Sequence, residues 1–474
     1  MSIQTEADVV VIGAGTAGLA AIKEVKKVTD RYLLINDGPY GTTCARVGCM
    51  PSKLLIEAAN AFHRRYSFEA FGIRHAEALQ IDIPAVMQRV RDLRDYYVAS
   101  TLKAVHELGD KNISGRARLL SANLVEVNDQ QIAGRKIIIA TGSRPIVPSA
   151  WLSLGDKLLT TDTLFEQHDF KQRVAVIGLG AIGVEIAQAL ARLGITVTGF
   201  GAGNELAGLT DPAVNQALHD SLQKEFAIHL GDNAELTTTD TGIQVTAGAY
   251  SVEVDQVIAA VGRQPNIDNI GFDNLGVALD DNGMPDINPQ TMQVADLPVF
   301  LAGDASADTM LLHEVADEGH IAGHNAVAEK VEAFCRRTPL SIVFSAPETA
   351  MVGRSYAECE SHPLVVGQAS YTDQGRARAA LQNVGLMRIY ADKTNGRLLG
   401  AEMSAPDAGH MAHILALAIQ QQLSVEALLA MPIYHPVLEE GMRSALRDVL
   451  SQRLETTQPF DLARCDSFQS EALD

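Results

Sequence analysis

Twice in this chain a β-branched run leads straight into a Gly-x-Gly-x-x-Gly turn and then a helical pattern. Residues 8–12 (DVVVI) pass into Gly13-Ala-Gly15-Thr-Ala-Gly18 and an Ala-rich run to about Thr29. Residues 174–178 (VAVIG) pass into Gly178-Leu-Gly180-Ala-Ile-Gly183 and an amphipathic run to about Leu193. In such a strand–turn–helix unit the first glycine makes the turn and the second lets a pyrophosphate approach the backbone. The third lets the helix pack on the strand, and the helix N-terminus faces the anion. The two triplets superimpose without a gap, and IIIATGSRP (137–145) is echoed by VIAAVGRQP (257–265). Repetition of this kind argues against coincidence. It predicts an α/β chain with two Rossmann-like dinucleotide-binding units.

The contact to the nucleotide's ribose is less sharply written. The second strand, 32–35, ends at Asn36-Asp37, about where an acid takes the ribose hydroxyls; Asn36 can do part of this and Asp37 falls one step late. In the second unit the same position falls near Gly201, with Glu205 the nearest acid and no arginine following to welcome a 2′-phosphate. The absence of basic residues leans toward NAD and leaves NADP open.

Between the two units lies GTTCARVGCMPSK, residues 41–53. Cys44 and Cys49 stand five apart in a Gly-bounded turn running into Pro51 and an apolar helical run. Four intervening residues let the two sulfurs meet, and a cysteine at a helix start is biased toward thiolate. A redox-active dithiol and a stapling disulfide both fit this spacing.

Composition narrows the setting. Against 58 acidic residues stand 38 basic ones, and a net charge of −20 repels nucleic acid and anionic membranes. No stretch approaches the ~18 apolar residues of a spanning helix. The opening MSIQTEADVVVIG enters a strand without a basic segment or cleavage site, so it does not read as a secretory signal. Five cysteines, with Cys335, Cys359 and Cys465 scattered beyond the first two, draw no framework of bridges. The expectation is a cytoplasmic protein, where a surviving disulfide is more often catalytic than structural.

Further along, residues 136–140 read as a buried strand delivering Thr141-Gly142-Ser143 into a turn. Residues 299–306 (VFLAGDAS) deliver Asp304 likewise, with a helical run following from about His313 to Val331. From 341 to 450 the pattern changes to alternating strands and two helices, an α+β domain, and 451–474 read as a polar tail. His320 and His324 have metal-ligand spacing, with His313 before them, but no carboxylate or cysteine completes a set; His410 and His413 read the same way. No metal is expected.

Taken together, the two dinucleotide units, the C-x4-C turn, the GD-containing strand and a late HPVLEE (435–440) resemble the class I flavin-dependent pyridine nucleotide–disulfide oxidoreductases. The resemblance covers residues 7 to about 450. It is most specific to dihydrolipoyl dehydrogenases, in Cys44 to Lys53 and in His435 to Glu440. It implies homodimers, FAD in the first unit, a nicotinamide nucleotide in the second and a C-terminal interface domain. The implied division is 1–155 and 257–338 for the FAD-binding and central part, 156–256 for NAD(P), 339–450 for dimerisation. Cys44 would exchange with a disulfide substrate and Cys49 face the flavin. His435 of the second subunit would be the acid/base, oriented by Glu440. Lys53 would stand beside the flavin with Glu185 as its partner. Further cofactor contacts fall on Gly13, Gly15, Gly18, Asn36, Gly115, Thr141, Gly142, Ser143 and Asp304 for FAD, and on Gly178, Gly180, Gly183 and Gly262 in the second unit.

The departures are Thr42 where the family has glycine, Val437 where it has threonine, and Tyr434 ahead of the histidine. Ala181 and Ser52 stand where glutathione-reducing relatives carry tyrosine and lysine, and mercuric reductases, with paired terminal cysteines, fit poorly. The expected reaction is oxidation of dihydrolipoyl groups by NAD+. The alternatives are NAD(P)H-dependent reduction of another small disulfide or a quinone, and a non-catalytic redox-sensing flavoprotein. A 2-oxo acid dehydrogenase complex is the candidate partner.

Overall fold

The computed structural model describes residues 5–453 together with 461 and 462. Cys465 and most of the tail expected at 451–474 lie outside the described residues.

The DVVVI run forms the end of strand Thr5–Ile12. Val9 and Val11 pack with Ala17, Ala21 and Ile321 on one face. Val10 and Ile12 pack with Leu119, Val125 and Phe272 on the other. A strand buried on both faces is written as an unbroken apolar run, which is why no alternation shows in the sequence. Around it runs a seven-stranded sheet in the order Asn112–Ser114, Tyr32–Asn36, Thr5–Ile12, Gln130–Ile139, Leu124–Val127, Arg118–Ser121, with Val299–Leu301 also on Gln130–Ile139. Gln130–Ile139 changes neighbours along its length: its start pairs antiparallel with Leu124–Val127 and its end parallel with Val299–Leu301. Thr141–Ser143 and Asp304 are thereby delivered side by side.

The second unit is a five-stranded parallel sheet in the order Ala227–Leu230, Thr196–Gly201, Arg173–Ile177, Gln256–Ala259, Leu158–Leu159. Gln256–Ala259 is the counterpart of residues 136–139, so the boundary expected at 256/257 falls inside this sheet. The chain leaves the second unit through Arg263–Pro265, which pairs antiparallel with Ser143–Pro145. Two short strands, each directly following a parallel strand of its sheet, thus join the units.

Residues 340–405 form an antiparallel sheet in the order Leu340–Val343, Glu348–Gly353, Leu398–Ala405, Leu386–Asp392, Leu364–Ser370. Helices Ala408–Gln420 and Glu440–Gln452 cover it. Glu402, fully buried on this sheet, accepts from Thr210 N at 2.8 Å, Asp211 N at 2.8 Å and Tyr356 N at 2.9 Å. Asp211 in turn accepts from Arg388 Nη1 at 2.7 Å and Tyr390 Oη at 2.9 Å. The third domain is therefore tied to the second unit by charged groups that find their partners across the junction.

Candidate active site

Both glycine triplets divide the same work. A Cβ on Gly13 would lie 2.2 Å from Ala140 O and one on Gly18 would lie 1.9 Å from Gly13 O, whereas Gly15 has nothing within 4 Å. In the second unit Gly178 and Gly183 would meet Ala260 O at 2.2 Å and Gly178 O at 1.7 Å, and Gly180 again has nothing within 4 Å. The outer glycines are close-packed, and the middle one leaves open space at the start of a helix. Neither helix, Thr16–Val25 or Ala181–Arg192, has a side-chain N-cap, so both leave N–H groups for an anion.

Beside the first turn lies a cavity of about 330 Å³ lined by Gly13, Asn36, Asp37, Gly115 and Thr141 among others. The Thr141 hydroxyl is buried without a partner. Asn36 is partly committed to the loop: Oδ1 accepts from Ala14 N at 2.9 Å and Nδ2 donates to Gly38 O at 3.2 Å. Free helix N–H groups, an unpaired hydroxyl and an open glycine fit a dinucleotide. A second cavity, of about 430 Å³, opens between Thr161, Gly178, Gly180, Ala181, Gly262 and Arg263.

Asp304 sits on the 3-10 turn Gly303–Ser306, ahead of the helix Leu312–Val327, so it does not start that helix. Its Oδ2 accepts from Ser143 Oγ at 2.6 Å, and Ser143 Oγ accepts from Arg263 Nε at 2.8 Å. Arg263 also lines the second cavity. The turn is held from below by Glu318, which accepts from Gly303 N at 2.7 Å and Arg336 Nη2 at 3.0 Å. Burial pushes the Glu318 carboxyl up despite that arginine.

Thr43–Val47 and Cys49–His63 are separate helices broken at Gly48, which puts Cys44 in one and makes Cys49 the first residue of the other. Both are free thiols, Cys49 exposed and Cys44 half-buried. The Cys44 thiol donates to the Cys49 sulfur, and this bond, aided by the Lys53 charge against the cost of burial, lowers Cys49 to about 7. The same bond raises Cys44. Lys53 donates to both carboxylate oxygens of Glu185, at 3.0 and 2.9 Å, and Glu185 is 6% exposed.

His435 Nδ1 lies 3.1 Å from each carboxylate oxygen of Glu440. The histidine side chain is 79% exposed. Glu440 is held below the usual carboxylate range by this bond first, with Val437 N and Arg443 assisting. Tyr434 stands exposed beside the pair.

The predicted residues thus gather into four contacts: Cys44 with Cys49, Lys53 with Glu185, Ser143 with Asp304, His435 with Glu440. His313, His320 and His324 instead pair with three different carboxylates, Glu314, Glu24 and Glu332. Sequence reasoning missed several members. Arg263 was in view in the echoed VGRQP, and Glu318 had no signal. Thr42 caps its helix by accepting from Ala45 N at 3.2 Å, a T-x-x start visible in the sequence. Arg46, between the cysteines, keeps a buried Nε without a partner.

Comparison with known proteins bears on this arrangement directly. Residues 7–322 match the family model of pyridine nucleotide-disulphide oxidoreductases and 340–446 match that family's dimerisation domain. The chain belongs to this family. It is similar to the dihydrolipoyl dehydrogenase of Haloferax volcanii, with 31% identity over 96% of this chain and 98% of that one. It is also similar to the mitochondrial dihydrolipoyl dehydrogenase of Rattus norvegicus, with 28% identity over 93% and 90%. The HOCl-induced flavoprotein disulfide reductase RclA from Escherichia coli shares the fold, with TM-score 0.81 and 22% identity over 95% of this chain and 100% of that one.

As a pyridine nucleotide-disulphide oxidoreductase the chain is an enzyme acting on a sulfur group, with FAD and NAD as cofactors. Its dimerisation domain supports a homodimer. Among the described residues no helix is long and apolar enough to cross a membrane.

Proposed function

We propose that this protein oxidises dihydrolipoyl groups with NAD+, as a dihydrolipoyl dehydrogenase. The observation that carries the reading is the pair of free thiols across the helix break at Gly48, Cys49 opening the helix that carries Lys53 one turn on; that arrangement lowers Cys49 to about 7 and raises Cys44. A sulfur with a depressed pKa leaves a disulfide readily. In the oxidised Cys44–Cys49 form a substrate thiolate attacks Cys44, the Cys44–Cys49 bond breaks, and Cys49 departs as thiolate. His435 of the second subunit then takes the proton of the remaining substrate thiol. That sulfur attacks the mixed disulfide, releasing Cys44, which receives the proton. The substrate has become a disulfide and the cysteine pair holds its two electrons. A flavin held in the first unit would supply the acceptor for that electron pair and the route by which it reaches NAD+.

Glu440 keeps the imidazole in the tautomer that takes a proton at Nε2, since Nδ1 faces the carboxylate. Lys53 stands by the dithiol with its charge fixed by Glu185. Ser143, Asp304, Thr141 and Gly115 would hold FAD, and Gly178, Gly180, Gly183 and Gly262 would hold the nicotinamide nucleotide. Residues 1–155 and the segment after Arg263 form the FAD part, the second sheet the NAD part, and 339–450 the interface. A 2-oxo acid dehydrogenase complex in the cytoplasm is the setting in which a lipoyl group is presented on a partner. Steady-state turnover of dihydrolipoamide, with NAD+ and NADP+ side by side, tests the reading; absence of turnover with either would reject it.

One observation favours a second reading. Tyr434, 81% exposed, directly precedes His435, a departure from the family pattern beside the base that bears on which substrate is met there. It suits a reductase of another small disulfide or a quinone, and comparing dihydrolipoamide, glutathione disulfide and a quinone as substrates separates the two.

A further inference from the structure

The second nucleotide unit lacks the acid that such units place at the end of their second strand to take the ribose hydroxyls. Strand Thr196–Gly201 ends in a glycine that is packed against Leu230. A Cβ on Gly201 would lie 2.7 Å from Leu230 Cδ2 and 3.4 Å from Gly203 O. The backbone is drawn tight at this point by Gly231, whose N–H is shared between Gly201 O at 2.9 Å and Gly203 O at 3.2 Å. An end-of-strand carboxylate is thus absent from the sequence, and a side chain there would have to displace the Leu230 methyl group.

The chain then exposes residues 202–205 before Leu206 is buried. Of these only Glu205 is charged, and there is no Lys or Arg anywhere from Thr196 to Asp211. The loop is fixed rather than trailing: Asn215 accepts from Leu206 N at 2.8 Å and donates to Asn204 O at 2.9 Å. Glu205 folds back over it, with Oε2 2.6 Å from where a Cβ on Gly203 would stand. Its carboxylate therefore lies beside Gly203, two residues past the strand end, and among the described residues no hydrogen bond or ion pair engages it.

We propose that Glu205 is the specificity residue of the nicotinamide-nucleotide site. From four positions further along the chain, it accepts from the adenosine ribose hydroxyls that an end-of-strand acid would otherwise take. Its charge, with no Lys or Arg in the loop to offset it, repels a 2′-phosphate and so selects NAD over NADP. The assignment rests on the second unit being the nicotinamide-nucleotide site and is independent of which dithiol is oxidised.

Calorimetric titration of the flavin-loaded protein with NAD+ and with NADP+ tests it, comparing the wild type with Glu205→Gln and Glu205→Arg. A charged hydrogen bond on an exposed loop is at the low end of its range, so Glu205→Gln is expected to weaken NAD+ about tenfold. NADP+ should bind Glu205→Gln no more weakly than the wild type, and Glu205→Arg should bind it more tightly. Unchanged NAD+ affinity in Glu205→Gln, with NADP+ still discriminated against, would overturn the assignment. Affinities as expected with no turnover of dihydrolipoamide would uphold it while removing the proposed substrate.

Discussion

Lys53 and Glu185 meet across 132 residues of sequence, Nζ lying 3.0 and 2.9 Å from the two carboxylate oxygens. Oε1 of Glu185 also accepts from Phe344 N at 2.9 Å, and Lys53 Nζ lies 4.5 Å from the centre of the Phe344 ring. The dithiol helix, the second nucleotide unit and the interface domain thus converge on one carboxylate. Removing it in Glu185→Ala strands a partly buried N–H and a lysine that is 30% exposed. Breaking a fully buried pair costs about 3–5 kcal/mol, and the exposure of Lys53 reduces the expected loss to about 2 kcal/mol. The shift in denaturant midpoint measures this; a shift near zero would mean the pair behaves as a surface one.

The glycine geometry separates folding from cofactor retention. Gly18→Ala drives a Cβ to 1.9 Å from Gly13 O, a contact that only backbone movement relieves. It is expected to unfold or severely destabilise the protein. Gly15→Ala meets no protein atom within 4 Å, so the apoprotein should melt as the wild type does. The methyl group instead occupies the space in which the pyrophosphate would approach, and flavin content should fall after dialysis. Flavin fluorescence and apoprotein melting, run on both variants, check the contrast.

Much of this was legible because it is local. The triplets at 13–18 and 178–183, the C-x4-C turn and the histidine five residues before its glutamate all lie within short windows, where spacing dictates geometry. Lys53 with Glu185 could be named only through the family resemblance, since nothing local joins residues so far apart. Glu318 escaped because its role depends on a fold that brings Gly303 to it; in sequence it is one more acid on a helix. The helix Glu440–Gln452 escaped for another reason. Met442, Ala445, Leu446 and Val449 trace a buried stripe, but the charged residues between them obscure it, and it is not among the two helices read in 341–450. Glu402 and Asp211 show the limit most clearly: fully buried carboxylates are rare, and no sequence pattern announces the partners that make them tolerable.

His435→Ala should lower turnover with dihydrolipoamide by about 10²–10⁴, the usual share of a general base. The histidine is 79% exposed and its side-chain partner is Glu440, so the fold should not suffer. Flavin content and anaerobic reduction by NADH should match the wild type, because neither uses the imidazole. Glu440→Gln should lie between: the amide still accepts from Nδ1, but the positive charge developing on His435 loses its counter-charge. A redox sensor without catalysis predicts wild-type behaviour in both variants, which steady-state assays would reveal directly.

The thiol pair also fixes a pH window for stability of the reduced protein. Cys49 is lowered to about 7 in the fold, and an unfolded thiol titrates near 8.5. Its stabilising contribution is therefore full above about 8.5 and lost as pH falls through about 7. Cys44 acts oppositely: it is raised, so above about 8.5 the unfolded chain loses a proton that the fold retains, and stability declines again. The difference in stability between the reduced wild type and Cys44→Ser/Cys49→Ser should accordingly peak between the two values. A denaturant series at about pH 6, 8 and 10 resolves such a maximum. In Cys44→Ala the hydrogen bond to Cys49 is gone, and the pH at which Cys49 reacts with iodoacetamide should climb toward that of an ordinary thiol. If Cys49 still titrated near 7 in that variant, the depression would belong to Lys53 and the helix start, and the two cysteines would not share a proton.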